Sequence, residues 1–395
     1  METQKGTTRV IIDELRIVGS TQTNVVMAAE LVRVCKRALK VRPPDPRKEG
    51  LGQLVLPFDR DIAWAATTYL RTPTRVLWDV YRTSATRLEP LYDELMTDIA
   101  GDSRKLWRDR DGISVEARRV ENFAAGERQV VGTVKNALID GANQRGVRLH
   151  VDPERAAVRW VARLDDANQL VVSIDLGGGS LSQRGWRRDA GAAPLREHLA
   201  AVLLMLCRYD SRNDVLVDPM CGSGTIPIEA IHAAHATPRE SPTLAALGLD
   251  RPAEPLFADA SPIAIGCDLD LDSLSAARDN ARAAGVAGKV TWQRADVVQL
   301  RPDAIDEIVR EHGREPSPGL ILSNPPYGER LDEHDLGDIY ESLAVACSRF
   351  RGWRAGFLVG SPVFEEVMFR VIGQPRIKKP LANANLRAYF FLFDL

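Results

Sequence analysis

Cysteine is scarce in this sequence, and long apolar runs are missing. The five cysteines (Cys35, Cys207, Cys221, Cys267 and Cys347) include no CxxC pair, and an odd, unclustered set argues against both a disulfide framework and a zinc site. The apolar run that ends at Cys207 is far shorter than the roughly 20 residues that cross a bilayer. The opening METQKGTTRV lacks the apolar stretch of a signal peptide. We therefore expect a cytoplasmic protein without a metal site or a membrane segment.

A strong excess of one charge is also missing, since 52 Lys and Arg face 54 Asp and Glu for a net charge of −2. The 395 residues, 45% hydrophobic and 27% charged, are typical of two or three globular domains. The charge is unevenly distributed, however. Residues 1–190 hold 31 basic and 26 acidic side chains, whereas residues 191–395 hold 21 and 28. This asymmetry indicates that the two halves have different functions.

The N-terminal half has a mixed α/β pattern. Residues 1–50 contain one periodic helix, Val25 to Leu39, which the prolines of VRPPDPRKEG end; we expect residues 1–20 to be weakly ordered or to lie at an edge. Residues 51–176 predict an α+β module that ends in two strands, VRWVARL and LVVSIDL, joined as a hairpin by a polar turn. The Gly- and Arg-rich residues 177–194 predict a linker.

The C-terminal half, residues 195–395, has a different pattern. Four short apolar strands, VLVDP, AIGCDLD, VTWQRAD and LILSNPP, alternate with helical stretches, which predicts an α/β domain with a doubly wound, parallel sheet. In such a sheet, ligands bind beyond the carboxyl ends of the strands. Residues 236–262 carry five prolines and are interpreted as an insertion, because 50 residues separate Asp218 from Asp268 where one βα unit takes 28.

The first of these strands delivers Asp218 and is followed by the glycine-rich turn Cys221-Gly222-Ser223-Gly224-Thr225 at the start of a helix. Glycine allows a ligand to approach the backbone closely at a helix N-terminus, although a tight turn without a ligand has the same composition. Pro227 stands where a dinucleotide fingerprint has its third glycine, and no P-loop lysine follows. The turn is therefore better suited to an uncharged or cationic ligand, with Asp218 facing a positive group.

Acidic residues also follow the second and third strands. Asp268 is placed to accept hydrogen bonds from the two ribose hydroxyls of a nucleoside, while Asp270 or Asp272 could serve only as a helix cap. Asp296 could accept from an exocyclic amine. These positions predict a nucleoside-containing ligand.

The fourth strand ends in Ser323-Asn324-Pro325-Pro326-Tyr327-Gly328, the most specific feature of the chain. The prolines restrict the backbone, so that the Asn324 side chain and the Pro325 carbonyl can accept the two hydrogens of a planar amine. Tyr327 could stack on a base. A rigid turn that merely ends a strand is the simpler alternative.

Together, VDPMCGSGT, the acidic strand ends and SNPPYGERL resemble the motifs of class I S-adenosylmethionine methyltransferases that act on exocyclic amines. With GWRRDAGAAPLREHLAA, they are similar to the THUMP-containing RNA guanine-N2 methyltransferases in particular, and EARRVENFAAGERQVVGTVKNALID with the two strands after it resembles the THUMP module of that family. The resemblance implies S-adenosylmethionine as the cofactor, with Asp218 and the Cys221–Thr225 turn around its methionine part, Asp268 at the ribose and Asp296 near the adenine. It implies that Asn324, Pro325, Pro326 and Tyr327 receive the target guanine.

Several other side chains allow competing interpretations. His232 and His235 could be a metal pair, but a solvated helix face is the stronger interpretation. Cys221 has no histidine partner nearby in the sequence, so we expect it to pack rather than to act as a nucleophile. Arg187 and Arg188, next to Trp186, could contact RNA or hold the linker to the domain. With the resemblance, further basic residues are expected to contact RNA phosphates: Arg118, Arg119 and Lys135.

The sequence thus predicts an RNA methyltransferase that acts on the N2 amine of a guanosine in ribosomal or transfer RNA. Adenine-N6 methyltransferases and protein glutamine methyltransferases share the NPPY strand end, but neither needs the α+β module. A non-catalytic RNA-binding assembly factor is a further alternative, which the intact motif residues argue against.

Overall fold

The computed structural model describes residues 10–187, 195–327, 333–381 and 387–395. The chain forms two compact units that do not follow the order of the sequence. The first takes in the described residues of 1–19, 27–181 and 238–253, and the second those of 20–26, 182–237 and 254–395. The boundary between residues 181 and 182 falls inside the segment predicted as a linker.

An eight-stranded sheet forms the first unit. Its strands are β1 (Val10–Val18), β2 (Arg47–Glu49), β3 (Gln53–Pro57), β4 (Arg75–Thr83), β5 (Gly112–Arg118), β6 (His150–Val151), β7 (Val158–Leu164) and β8 (Leu170–Asp175). Their spatial order is β2-β3-β1-β4-β8-β7-β5-β6, and only the β7–β5 and β5–β6 pairs are parallel. The predicted hairpin is present as β7 and β8, which pair Leu164 with Leu170.

A seven-stranded sheet forms the second unit. Its strands are β9 (Val215–Asp218), β10 (Ile263–Asp268), β11 (Val290–Arg294), β12 (Leu320–Ser323), β13 (Arg354–Val359), β14 (Ile377–Pro380) and β15 (Tyr389–Asp394). The order is β11-β10-β9-β12-β13-β15-β14. The first five strands are parallel, four of them as predicted and β13 in addition, and β15 is antiparallel to both of its neighbours.

The helices, numbered along the chain, are α1 (Asn24–Ala38), α2 (Arg60–Tyr69), α3 (Leu88–Gly101), α4 (Glu127–Gln144), α5 (Glu197–Leu206), α6 (Thr225–His235), α7 (Pro242–Leu247), α8 (Leu271–Ala283), α9 (Pro302–Glu311), α10 (Glu333–Cys347) and α11 (Pro362–Val371). A 3-10 turn follows β11 at Val297–Gln299. Helices α2, α3, α4, α7 and most of α1 belong to the first unit.

The first unit departs from the expectation for the N-terminus. Residues 10–18 are neither weakly ordered nor at an edge, because β1 lies inside the sheet between β3 and β4. A buried charge cluster connects these strands to the rest of the sheet. The fully buried Asp79 of β4 accepts hydrogen bonds from Arg16 (2.8 Å), Arg163 (2.7 Å) and Ser173 (2.6 Å), on β1, β7 and β8. Such pairing is what a buried carboxylate requires.

The segment predicted as an insertion in the C-terminal domain contributes to the first unit instead, through residues 238–253. It carries the short helix α7, which begins with Pro242 after the capping residue Ser241. The Arg239 guanidinium donates to the Thr67 carbonyl of α2 at 3.0 Å. The insertion is therefore folded and anchored within the first unit.

Apolar side chains of the second sheet alternate between its two faces, as the strand period of two requires. Val217, Ile265 and Ile321 join one core cluster with residues of α9, α10 and α11. Leu216 and Ala264 join the other with residues of α5, α6 and α8. Helices thus cover both faces. The chain order reverses between β9 and β12, which is the point where an open parallel sheet binds its ligand.

Candidate active site

A cavity of about 710 Å³ lies at this reversal point, beyond the carboxyl ends of β9, β10, β11 and β12. Seven of the predicted site residues line it: Gly222, Asp268, Asp296, Asn324, Pro325, Pro326 and Tyr327. Asp218, Cys221, Ser223, Gly224 and Thr225 are absent from its lining. The structure therefore separates the residues predicted around the cofactor into cavity-lining and supporting groups.

Gly222 is the member of the glycine turn that reaches the cavity. Its φ of 51° lies in the left-handed region that favours glycine, and a Cβ built there would meet no atom of the described residues within 4 Å. Its N–H donates to Asp268 Oδ2 at 2.8 Å. This bond joins the turn after β9 to the end of β10, and the space beside the Gly222 backbone is open.

Gly224 serves packing rather than ligand approach. Its φ is 81°, and a Cβ there would lie 2.6 Å from the Trp292 ring and 3.0 Å from the Ala277 Cβ. Next to it, Thr225 is buried and accepts a hydrogen bond from Arg187 at 3.0 Å, and the Ser223 carbonyl accepts one from Asn280 at 3.0 Å. These contacts fix the turn from behind.

Asp218, which the sequence places beside a positive group of a ligand, is 1% exposed and is not among the residues that line the cavity. Its Oδ1 instead accepts from the Ser323 hydroxyl at 2.7 Å and from the Met220 N–H at 3.3 Å. Burial raises the pKa of Asp218 to about 7. This carboxyl connects β9 to the end of β12, directly before Asn324.

Cys221 packs as predicted. It is 7% exposed, burial raises the pKa of its thiol, and its Sγ would lie 3.2 Å from a Cβ at Gly266. A buried thiol with a raised pKa is a poor nucleophile.

Asp268 and Asp270 differ in position: one lies at the cavity and the other caps a helix. Asp270 caps α8, where it accepts from the backbone of Asp272 and Ser273 at 3.2 and 3.1 Å. Asp268 lines the cavity. Asp296 does both, since it also lines the cavity and caps the 3-10 turn by accepting from the Val298 N–H at 3.0 Å. Both of the acidic residues predicted at the second and third strand ends, Asp268 and Asp296, therefore line the cavity.

Asn324 carries the least satisfied polar atom of the site. It lines the cavity, and its Oδ1 is buried and accepts no hydrogen bond from any residue that the structure describes. The next two residues, Pro325 and Pro326, have no N–H to donate. Tyr327 packs its ring over Gly360, where a Cβ would come within 3.1 Å of the ring. An acceptor without a partner among the described residues and an aromatic residue thus line the same cavity.

Sequence reasoning missed ten lining residues. They are Pro219, Met220, Leu269, Ala295, Val297, Val298, Leu336, Asp338, Ile339 and Ser342. The last four come from α10, where spacings of three residues between Leu336, Ile339 and Ser342 mark one helix face. That periodicity was available in the sequence, but only the fold brings α10 to the strand ends.

The predicted RNA contacts have different surroundings. The Arg187 side chain is 15% exposed and is committed to Glu197 (2.9 Å), the Leu195 carbonyl and Thr225. These contacts favour the second of the two interpretations, that Arg187 holds the linker to the domain, where Trp186 is also buried. In the first unit, Arg118 pairs with Glu116 at 2.9 Å and Arg119 with Asp166 at 3.7 Å, while both side chains stay more than half exposed. Lys135 is half-buried on α4, and Arg188 lies outside the described residues.

His232 and His235 are buried rather than on a solvated helix face. Their Nδ1 atoms lie 3.2 Å from Thr237 Oγ1 and 3.1 Å from the Phe257 carbonyl. Across the described ranges, no three His, Cys, Asp or Glu side chains are grouped so that they could hold a metal ion. No helix in those ranges is both long and apolar enough to cross a membrane.

Most of the second unit lies within residues 184–379, which match the model described as UPF0020, RMKL-like, methyltransferase domain. Two relatives are named ribosomal RNA large subunit methyltransferase K/L. The protein from Methylococcus capsulatus is 32% identical over 366 residues, or 85% of this chain and 46% of that protein. The one from Aeromonas salmonicida is 34% identical over 296 residues, or 66% of this chain and 39% of that protein. The chain therefore spans less than half the length of these relatives.

A solved structure, SMU.472, described as a putative methyltransferase complexed with SAH, is similar with a TM-score of 0.76 and 22% identity, and the match covers 98% of each chain. At that identity the similarity concerns the fold, and it agrees with the α/β sheet described above. Residues 184–379, just under half of the chain, therefore match the family of RMKL-like methyltransferase domains.

Proposed function

We propose that this protein is an S-adenosylmethionine-dependent RNA methyltransferase that modifies the exocyclic N2 amine of a guanosine. The residues at the cavity fit the cofactor. Asp268 and Asp296 offer carboxylate acceptors for ribose hydroxyls and for an exocyclic amine, and the open backbone at Gly222 admits a ligand. When bound, S-adenosylmethionine supplies an electrophilic methyl group.

The buried Oδ1 of Asn324, which has no partner among the described residues, is the observation that carries the proposal. A buried polar atom without a partner is costly, so a ligand hydrogen is its natural complement. The lone pair of a planar aromatic amine is delocalised into the ring. If Asn324 Oδ1 and the Pro325 carbonyl accept its two hydrogens, the nitrogen can pyramidalise and direct its lone pair out of the ring plane. The enzyme then acts mainly by positioning.

The substrate class rests on the relatives and on the first unit. The relatives at 32% and 34% identity are named for ribosomal RNA of the large subunit. We assign the first unit as a THUMP-type module that binds folded RNA by its backbone and shape, with Arg118, Arg119 and Lys135 toward phosphates. The target guanosine would be flipped into the cavity, because its amine is otherwise paired inside a helix, where Tyr327 can stack on it. A cytoplasmic location belongs to the same proposal.

Methyl transfer from labelled S-adenosylmethionine tests the function. The protein is incubated separately with ribosomal RNA and transfer RNA, and each RNA is digested to nucleosides. We expect label in N2-methylguanosine from one of the two. Label in N6-methyladenosine would favour the adenine-N6 alternative, and absence of label from every RNA would leave the assembly-factor alternative.

The Asn324→Ala variant tests the role of the strand end in the same assay. Turnover should fall by at least about 100-fold, the order of effect seen when one preorganised catalytic hydrogen bond is removed. The affinity for S-adenosylhomocysteine, measured by calorimetry, should stay close to that of the wild type. Asn213→Ala is the matched control, because Asn213 is exposed and bonds Asp210 in the same unit. Loss of S-adenosylhomocysteine binding in Asn324→Ala would mean that this loop belongs to the cofactor side.

A further inference from the structure

We propose that Tyr340, on α10, is a positioning residue for methyl transfer: its hydroxyl holds the Pro326 carbonyl and thereby fixes Asn324 in the cavity. This inference rests on the proposed function and adds a residue from a helix that the strand-end motifs do not include.

The Tyr340 side chain is well placed to act as a fixed anchor. It is fully buried, and its hydroxyl donates to the Pro326 carbonyl at 2.6 Å. Its ring meets the Phe364 ring edge to face, with centroids 5.2 Å apart. Because burial raises the pKa of Tyr340 to about 12, the hydroxyl keeps its proton near neutral pH and remains a donor.

A second anchor lies on the other side of Asn324. The Ser323 hydroxyl donates to the buried Asp218 carboxyl at 2.7 Å. Only Asn324 and Pro325 stand between Ser323 and Pro326, and the φ of each proline is fixed by its ring. The backbone of this short span therefore has few free torsions while both ends are held. Without the Tyr340 bond, the carboxyl-terminal end is released.

The same tyrosine is connected to the surface on which Tyr327 rests. The Tyr340 hydroxyl also interacts with the Ser361 side chain, and Ser361 directly follows Gly360, over which the Tyr327 ring packs. One hydroxyl thus links the Pro326 carbonyl to Ser361, the neighbour of the glycine under the Tyr327 ring. We expect its loss to disturb the placement of the target base and not that of the cofactor, because Asp268 and Gly222 bond to each other independently.

The Tyr340→Phe variant removes this hydroxyl and keeps the ring. We expect kcat for methyl transfer to RNA to fall about 10- to 100-fold, as small misplacements of reacting groups do. The Kd for S-adenosylhomocysteine should stay within about twofold of the wild-type value, since the bonds around Gly222 are unchanged. Hydrogen exchange measured by mass spectrometry should be faster in the peptide that covers residues 320–327.

Tyr81→Phe is the matched control. Tyr81 is also fully buried, and its hydroxyl donates to Asp102 at 2.8 Å in the first unit. The control loses a comparable buried hydrogen bond, so it should lower the melting temperature while kcat and exchange in 320–327 remain at wild-type values.

A Tyr340→Phe enzyme with wild-type kcat, or one whose affinity for S-adenosylhomocysteine falls in parallel with kcat, would overturn the positioning role. Unchanged exchange in 320–327 would overturn the anchor itself. A wild-type protein that methylates no RNA would overturn the proposed function, and the exchange result would still decide whether Tyr340 anchors the loop.

Discussion

At the scale of single residues, Asp218 shows how strongly the fold determines what a predicted side chain contacts. The sequence placed this carboxyl beside a positive ligand group. The fold buries it beneath the cavity, where it holds Ser323 and the Met220 N–H. Its function is to join the ends of β9 and β12, the two strands between which the sheet order reverses.

Burial of Asp218 should make stability depend on pH. Its pKa is raised to about 7 in the folded chain, whereas an unfolded Asp titrates near 3.9. Between about pH 4 and pH 7 the folded state therefore holds a proton that the unfolded chain has lost, so the free energy of unfolding falls as the pH rises through this window. Asp218→Asn removes the titrating group and keeps the shape.

Urea unfolding of the wild type and of Asp218→Asn across pH 4–8 measures this effect. We expect the urea midpoint of the wild type, relative to that of Asp218→Asn, to fall from about pH 4 to pH 7. Above pH 7 the difference between the two midpoints should stay constant. Taking the difference cancels other titrating groups, such as the buried His198, whose pKa burial lowers to about 3. A difference that stays constant from pH 4 to pH 7 would contradict the assignment.

At the scale of elements, the two glycines of the turn between β9 and α6 have different structural roles. Gly222 has open space around its missing Cβ, whereas Gly224 has the Trp292 ring at 2.6 Å. Both need a left-handed conformation, which costs a non-glycine residue roughly 1–2 kcal/mol. Only Gly224→Ala also forces a methyl group against the Trp292 ring, and such overpacking typically lowers the free energy of unfolding by about 1–3 kcal/mol.

Gly224→Ala should therefore lower the free energy of unfolding by more than Gly222→Ala does, as measured by urea denaturation. Binding of S-adenosylhomocysteine should show the opposite order, because only Gly222 lines the cavity. The two variants are controls for each other. Equal losses of stability would mean that the Trp292 side chain moves aside and that packing does not explain Gly224.

The elements that sequence patterns could predict are those whose neighbours are local or whose burial is complete. The strands around Val217, Ile265 and Ile321 are buried on both faces, so they read as continuous apolar runs. Each one ends in a polar residue because the sheet edge is where the cavity opens. The β7–β8 hairpin was equally clear, since its turn is encoded in consecutive residues.

The features that the sequence did not predict depend on contacts between residues that are far apart in the sequence. β1 lies inside its sheet because it pairs with β3 and β4, up to 72 residues away in the register of Val10 with Arg82. α10 lines the cavity only because the fold brings it to the ends of the strands. The two interpretations of Arg187 stayed open because nothing in a linear pattern shows that Glu197 and Thr225 bond its guanidinium.

At the scale of the whole molecule, the net charge of −2 is the sum of two parts of the chain with opposite charge. The basic surplus lies in residues 1–190 and the acidic surplus in residues 191–395. Among the acidic side chains of the second unit, Asp218 joins strands, Asp268 and Asp296 border the cavity, and Asp270 caps a helix. An overall charge near zero therefore does not argue against a polyanionic partner.

The location of charge, rather than its total, should decide the affinity for RNA. Arg119 and Arg42, both in the first unit, are suitable for a comparison of two variants. Their side chains are 66% and 67% exposed, and each forms an ion pair with one aspartate. Replacing either by alanine changes the net charge equally. We expect Arg119→Ala to weaken RNA binding and to reduce the slope of log K against log salt by about 0.7–0.9, the value of one phosphate contact. Arg42→Ala should leave both unchanged. Filter-binding or anisotropy titrations from 50 to 200 mM salt measure the slope, and equal slopes for the two variants would place the RNA-binding surface elsewhere on the molecule.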